Sequence, residues 1–167
     1  MELVVGIGEI AVSRTNDDLI KTFSLASCLG VVMYAPRIKT MAMAHMLLPN
    51  SPEHGGEVEG KPAQYVDKGI DVMVNLFRYK LGMDVKDLSV SVFGGADAGI
   101  CSYYNVSERN IEAVKTALHK HGLRAVRMET GGNYARTIIG YSKDGHVQVK
   151  PVLMGMNHQE MNGRACI

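Results

Sequence analysis

Apolar residues along this chain fall into two long periodic stretches and a series of short runs. From Ala63 to Leu81, Val66, Ile70, Met73, Val74, Phe77 and Leu81 recur at steps of three and four, with Asp67, Lys68, Asp71, Arg78 and Lys80 between them. That spacing predicts an amphipathic helix, and Gly82 is a suitable stop. A second helix is predicted from Ser107, whose hydroxyl can cap it. Glu108 suits its first turn, Ile111, Val114 and Leu118 form its stripe, and Gly122 ends it. The short runs read as strands: Leu3 to Val12, Leu19 to Phe23, Val31 to Tyr34, Thr40 to Leu48, Leu88 to Phe93, Leu123 to Glu129, Ala135 to Ser142 and His146 to Leu153. Asp144-Gly145 joins the last two as a hairpin.

The run from Thr40 to Leu48 carries the most information. Met41, Met43, His45 and Leu47 share one face by the two-residue period, and Ala42, Ala44, Met46 and Leu48 share the other. Both faces are apolar, so the strand is internal and His45 stands on a buried surface. Strands outnumber helices several to two, which favours a mixed α/β (α+β) architecture, a layered sandwich of packed β-sheet and helices, over a doubly wound sheet. The polar stretch from Asn50 to Gly60 is a surface loop beginning a few residues beyond His45, where it can border a site as a lid.

Composition narrows the class. A chain of 167 residues fits one domain spanning residues 1–167, with a core that needs neither disulfide nor metal. Its net charge of +1 supplies no general attraction to nucleic acid or to an anionic membrane. No apolar run approaches the roughly 18 residues that span a bilayer, and the start lacks the basic region and cleavage site of a signal peptide, so the chain reads as cytoplasmic without membrane insertion. Cys28, Cys101 and Cys166 are odd in number and widely spaced, which indicates free thiols rather than a disulfide framework or a zinc site. No metal and no cofactor are expected.

Cys28 and His45 are the candidate nucleophile and base. Most free cysteines are small buried hydrophobes, but Ser24, Ala26, Ser27 and Gly30 let the backbone turn sharply around this one and aim N–H groups at a developing oxyanion. His45 needs an acceptor on its other ring nitrogen to set the tautomer, and Thr22 is an available, uncharged orienter. Cys101 has no base beside it in sequence. Gly94-Gly95-Ala96 and Thr130-Gly131-Gly132 each follow a predicted strand, so Ser27, Gly95, Gly131 and Gly132 are candidate substrate contacts at the mouth. A depressed thiol pKa would distinguish an enzyme from a pure adaptor.

These residues resemble the CheD chemotaxis proteins, which are receptor glutamine deamidases. The resemblance is carried by Val5-Gly-Ile-Gly-Glu9, Thr22 to Gly30, Ala44-His-Met-Leu-Leu-Pro49, Gly94-Gly-Ala96, Arg109-Asn110 and Thr130-Gly-Gly-Asn-Tyr-Ala-Arg136, in order along nearly the whole chain. It implies a fold similar to the deamidating cytotoxic necrotizing factors, with Cys28, His45 and Thr22 as the catalytic residues. It further implies hydrolysis of a glutamine amide to glutamate and ammonia through a thioester, with methyl-accepting chemoreceptors as protein substrates. A CheC-type phosphatase is an implied partner, and a binding module that stimulates it with little deamidase activity is the alternative reading. The chain departs from the family where Ser24, Ala26 and Ala135 stand at common glycine positions. A glycine there would serve positive φ or close substrate approach.

Overall fold

Every residue of the strand Leu29–Ala35 is buried, because this strand lies in the middle layer of three. The computed structural model describes residues 1–53, 58–97 and 105–154. In chain order its strands are β1 (Glu2–Val4), β2 (Ile10–Val12), β3 (Leu19–Leu25), β4 (Leu29–Ala35), β5 (Thr40–Met46), β6 (Ser89–Gly94), β7 (Arg127–Thr130), β8 (Tyr134–Tyr141) and β9 (Val147–Leu153). The helices are α1 (Val66–Asn75) and α2 (Val106–Lys120).

The strands form two sheets, ordered β1-β3-β8-β9 and β2-β5-β4-β6-β7. Pairing is antiparallel except for β1 with β3 and β6 with β7. One face of the five-stranded sheet packs under α1 and α2 through Leu29, Val31, Met33, Ala42, Ala44 and Met46 against Ile70, Met73, Phe77, Val114 and Leu118. Its other face meets the four-stranded sheet through Val32, Met41, Met43 and Phe93 against Ile20, Leu25 and Ile138. The two-residue period read from β5 therefore assigns its methionines and alanines to the correct layers. Each valine, leucine, isoleucine, methionine or phenylalanine side chain so taken fully from water contributes about 1.5–3 kcal/mol before entropy is counted.

Four elements differ from the sequence reading. The apolar run from Leu3 to Val12 is two short strands in different sheets, because the chain turns at Gly8, which has φ of 78° and donates its N–H to the His45 carbonyl at 2.7 Å. The first helix keeps regular α geometry only over Val66–Asn75 and continues as a wider turn through Lys80. The strand expected from Leu123 begins at Arg127, since the Leu123 N–H is drawn back to the Leu118 carbonyl at 2.9 Å. At the start of α2 the cap is Asn105, whose side chain accepts from the Glu108 N–H, while Ser107 donates its hydroxyl to the Ala96 carbonyl at 2.7 Å.

Candidate active site

Between β3 and β4 the chain reverses over Ala26, Ser27 and Cys28, and a bulge in β3 prepares that reversal. Thr22 pairs with Ile138 and Leu25 with Arg136, so three steps on β3 face two on β8. One extra residue is thereby accommodated, with Ser24 in the left-handed region at φ 56°. As a result Phe23 and Ser24 both face solvent while Thr22 and Leu25 both face the interior. Of Ser24, Ala26 and Ala135, Ser24 alone adopts positive φ.

His45 enters the same interior from the middle sheet. It pairs with Gly30 across the β4–β5 ladder, which ends one rung later at Leu29 and Met46. Cys28 is the next residue of that chain, on the face shared by Gly30, and so stands diagonally to His45 on the surface turned toward the four-stranded sheet. Its own backbone is held on the other side as well, since the His45 N–H donates to the Glu9 carbonyl at 3.1 Å and Gly8 donates to the His45 carbonyl.

The hydrogen bonds around His45 fix its tautomer. Thr22 Oγ1 lies 2.8 Å from the Val5 carbonyl and 2.8 Å from His45 Nδ1. A carbonyl can only accept, so the hydroxyl proton goes to Val5 and the Thr22 oxygen must accept from Nδ1–H. Nε2 is then an unprotonated acceptor. It is buried and meets no donor among the described residues, the state expected of a base kept available for a proton.

Burial sets the resting charge of the pair. Cys28 and His45 are 8% and 3% exposed. Loss of hydration pushes the thiol up from its usual value, an effect partly opposed by the Cys28 backbone N–H, and pushes the imidazole down. The resting site is therefore a neutral thiol beside a neutral imidazole, not the depressed thiol expected of an enzyme from sequence. Among the described residues no carboxylate stands behind His45 to stabilise an imidazolium; its orienter is the hydroxyl of Thr22.

The glycine segments meet the nucleophile through their backbones. Gly95 donates its N–H to the Cys28 carbonyl at 2.9 Å, and Gly131 donates to the Gly94 carbonyl at 2.9 Å. The Gly132 carbonyl accepts from the Asp97 N–H at 2.8 Å, and Arg136 reaches the Gly131 carbonyl at 2.9 Å. Gly95, Gly131 and Gly132 thus build the corner that supports Cys28, and the N–H groups of Gly95 and Gly131 are already spent within it. Those of Ser27 and Cys28 donate to no other residue among the described ones and remain for an oxyanion. Cys101 and Cys166 lie outside the described residues.

Asn110 is the functional neighbour that sequence reasoning placed at the opening of a helix without a role. It is fully buried in α2, and its Nδ2 donates to the Ser27 carbonyl at 2.9 Å and to the Leu47 carbonyl at 3.0 Å. A buried polar residue on the apolar side of an amphipathic helix was the available signal.

Comparison with known proteins shows the family to which the chain belongs. A family model described as CheD chemotactic sensory transduction matches residues 47–151. The chain is similar to the chemoreceptor glutamine deamidase CheD of Thermotoga maritima, at 38% identity over 91% of this chain and 93% of that one. It is also similar to a probable chemoreceptor glutamine deamidase CheD of Thermococcus kodakarensis, at 36% identity over 93% and 96% of the two chains. Among solved structures, the Bacillus licheniformis hypothetical protein YfiH matches 72% of this chain and 49% of its own at 12% identity, with a TM-score of 0.48.

Proposed function

Because this chain belongs to the CheD family, we propose that Cys28, His45 and Thr22 carry out the reaction that defines that family. The protein is a chemoreceptor glutamine deamidase of chemotaxis, a protein-glutamine glutaminase. The observation that carries the assignment of roles is the free Nε2 of His45, left unprotonated by the Thr22 relay on the sheet face that bears Cys28.

In the mechanism that fits this geometry, a receptor glutamine presents its carboxamide to Cys28. His45 Nε2 takes the thiol proton as sulfur attacks the carboxamide carbon, and backbone N–H groups at Ser27 and Cys28 receive the oxyanion. The imidazolium returns its proton to nitrogen, ammonia leaves, and a thioester remains. Water, activated by the same Nε2, adds to the thioester; the C–S bond breaks, glutamate is released and Cys28 is again a thiol. Since both partners rest neutral, charge separation occurs only during the attack. Thr22 keeps the ring in the reactive tautomer throughout. Ser27, Gly95, Gly131 and Gly132 shape the rim that receives the substrate backbone.

No helix among the described residues is long and apolar enough to cross a membrane. We take residues 1–167 as one cytoplasmic deamidase domain acting on the receptors' cytoplasmic segments, with a CheC-type phosphatase as a further partner. The deciding experiment incubates wild type and Cys28→Ala with a chemoreceptor cytoplasmic fragment and measures ammonia. Wild type releases it and the variant does not; equal release from both defeats the assignment.

A further inference from the structure

We propose that Asn110 is a positioning residue that clamps the nucleophile-bearing and base-bearing segments together. This rests on the reading of Cys28 and His45 as nucleophile and base. The β4–β5 ladder that aligns these segments ends at the Leu29–Met46 rung, one residue short of Cys28. Beyond that rung the Ser27 and Leu47 carbonyls no longer bond across to one another's strand. A single carboxamide replaces the missing rung: the two Nδ2 protons of Asn110 go one to Ser27 O and one to Leu47 O.

The geometry is specific to an amide. Two carbonyl oxygens require two donors, which fixes the orientation of the carboxamide and excludes the flipped form with Oδ1 against them. Asn110 is itself fully buried, and its Oδ1 has no partner among the described residues. An apolar residue there would leave no orphan acceptor on the helix but would strand both carbonyls, so the amide answers a demand made by its two acceptors, Ser27 O and Leu47 O. That demand is local. Cys28 lies between the last ladder rung and the clamped Ser27, and His45 lies two residues before the clamped Leu47, so their separation is set from both ends.

Displacements of about 1 Å in a reacting pair cost on the order of a hundredfold in rate. A clamp that acts through position should therefore appear in kcat and not in receptor binding. Asn110→Ala removes both donors, and Asn110→Asp replaces them with an acceptor facing two carbonyls. Both are expected to lower kcat for ammonia release about tenfold to a hundredfold while KM for the receptor fragment stays within about twofold. In wild type, the Asn110 side-chain protons, followed by nuclear magnetic resonance, are expected to exchange with solvent far more slowly than an exposed amide. A folded variant with kcat within about twofold of wild type, or one altered only in KM, overturns the clamp. If neither variant folds, the wild-type exchange decides, and fast exchange overturns it. Cys28→Ala run in parallel separates the two readings: activity surviving in Cys28→Ala removes the catalytic assignment, whereas its loss with Asn110 variants fully active removes only the clamp.

Discussion

Thr22 and His45 belong to different sheets, and their side chains meet at 2.8 Å in the space between those sheets. Neither residue reaches solvent to any useful extent, so the contact is free of competition from water. Because the Thr22 proton is committed to Val5, the contact carries directional information: it tells His45 which nitrogen holds hydrogen.

Thr22→Ala should let the imidazole sample the wrong tautomer and leave the Val5 carbonyl without its donor. A fall in kcat on the order of tenfold to a hundredfold is expected, with Thr22→Ser retaining most of the activity. Steady-state ammonia release decides the matter. Wild-type kcat in Thr22→Ala would exclude the orienting role.

Burial lowers the pKa of His45, and the sign of the pH effect follows. The base must be neutral, so kcat/KM should hold as pH falls through the ordinary histidine value near 6.5 and decline only below it. The same shift affects stability. In the unfolded chain His45 takes a proton near pH 6.5, while the folded chain resists it to lower pH, so its contribution is present above about pH 6.5 and is lost as pH falls below that value. Thermal melts of wild type and His45→Gln across pH 5–8 should differ in slope on the acid side alone.

The buried thiol behaves oppositely. With its pKa raised, Cys28 in the folded protein should react with iodoacetamide at pH 7–8 more slowly than the same cysteine in the urea-unfolded chain. Faster labelling in the folded state would mean a stabilised thiolate and would contradict the neutral resting pair. Mass analysis of the peptide containing Cys28 distinguishes it from the other cysteines.

Ser24 holds φ of 56° at the bulge, a conformation glycine adopts without cost. Relief of left-handed strain outweighs the added freedom of glycine in the unfolded chain, so Ser24→Gly should stabilise by about 0.5–1 kcal/mol. That corresponds to a rise in Tm of roughly 1–4 °C for a chain of this size, read by calorimetry. A lower Tm would show that the Ser24 side chain contributes more than its backbone costs.

Gly94 is the reverse case. It has φ of 107°, and a Cβ placed there would run into the carbonyl of Cys28. Gly94→Ala should destabilise by more than about 2 kcal/mol, and what folds should have lost activity because the nucleophile's own peptide unit is displaced. Denaturant melts with an activity assay on the folded fraction test both parts.

Much of this could be read from residue order, and the exceptions share a cause. The face period of β5 put His45 inside, the periodicity of α1 and α2 located both helices, and Thr22 was available on a neighbouring strand. What escaped depended on contacts distant in sequence. The run from Leu3 to Val12 read as one strand although Gly6, Gly8 and Glu9 interrupt it; the pairing of its two halves with different sheets reveals the break. Asn110 gave no local sign of its partners, which lie 83 and 63 residues away. The raised thiol pKa was not legible either, since the burial that dehydrates Cys28 comes from the interior between the two sheets. Ser24 was visible as a departure from glycine, but its consequence needed the bulge.

The placement of Thr22 on one sheet and of Cys28 with His45 on the other makes chemical competence a property of assembly. A chain in which either sheet has formed alone contains every reacting atom and still lacks a ring held in the working tautomer. A nascent or partly unfolded copy should therefore act on bystander glutamines at least as slowly as Thr22→Ala. Anything that slides one sheet past the other by a fraction of a residue should slow the reaction without touching its nucleophile.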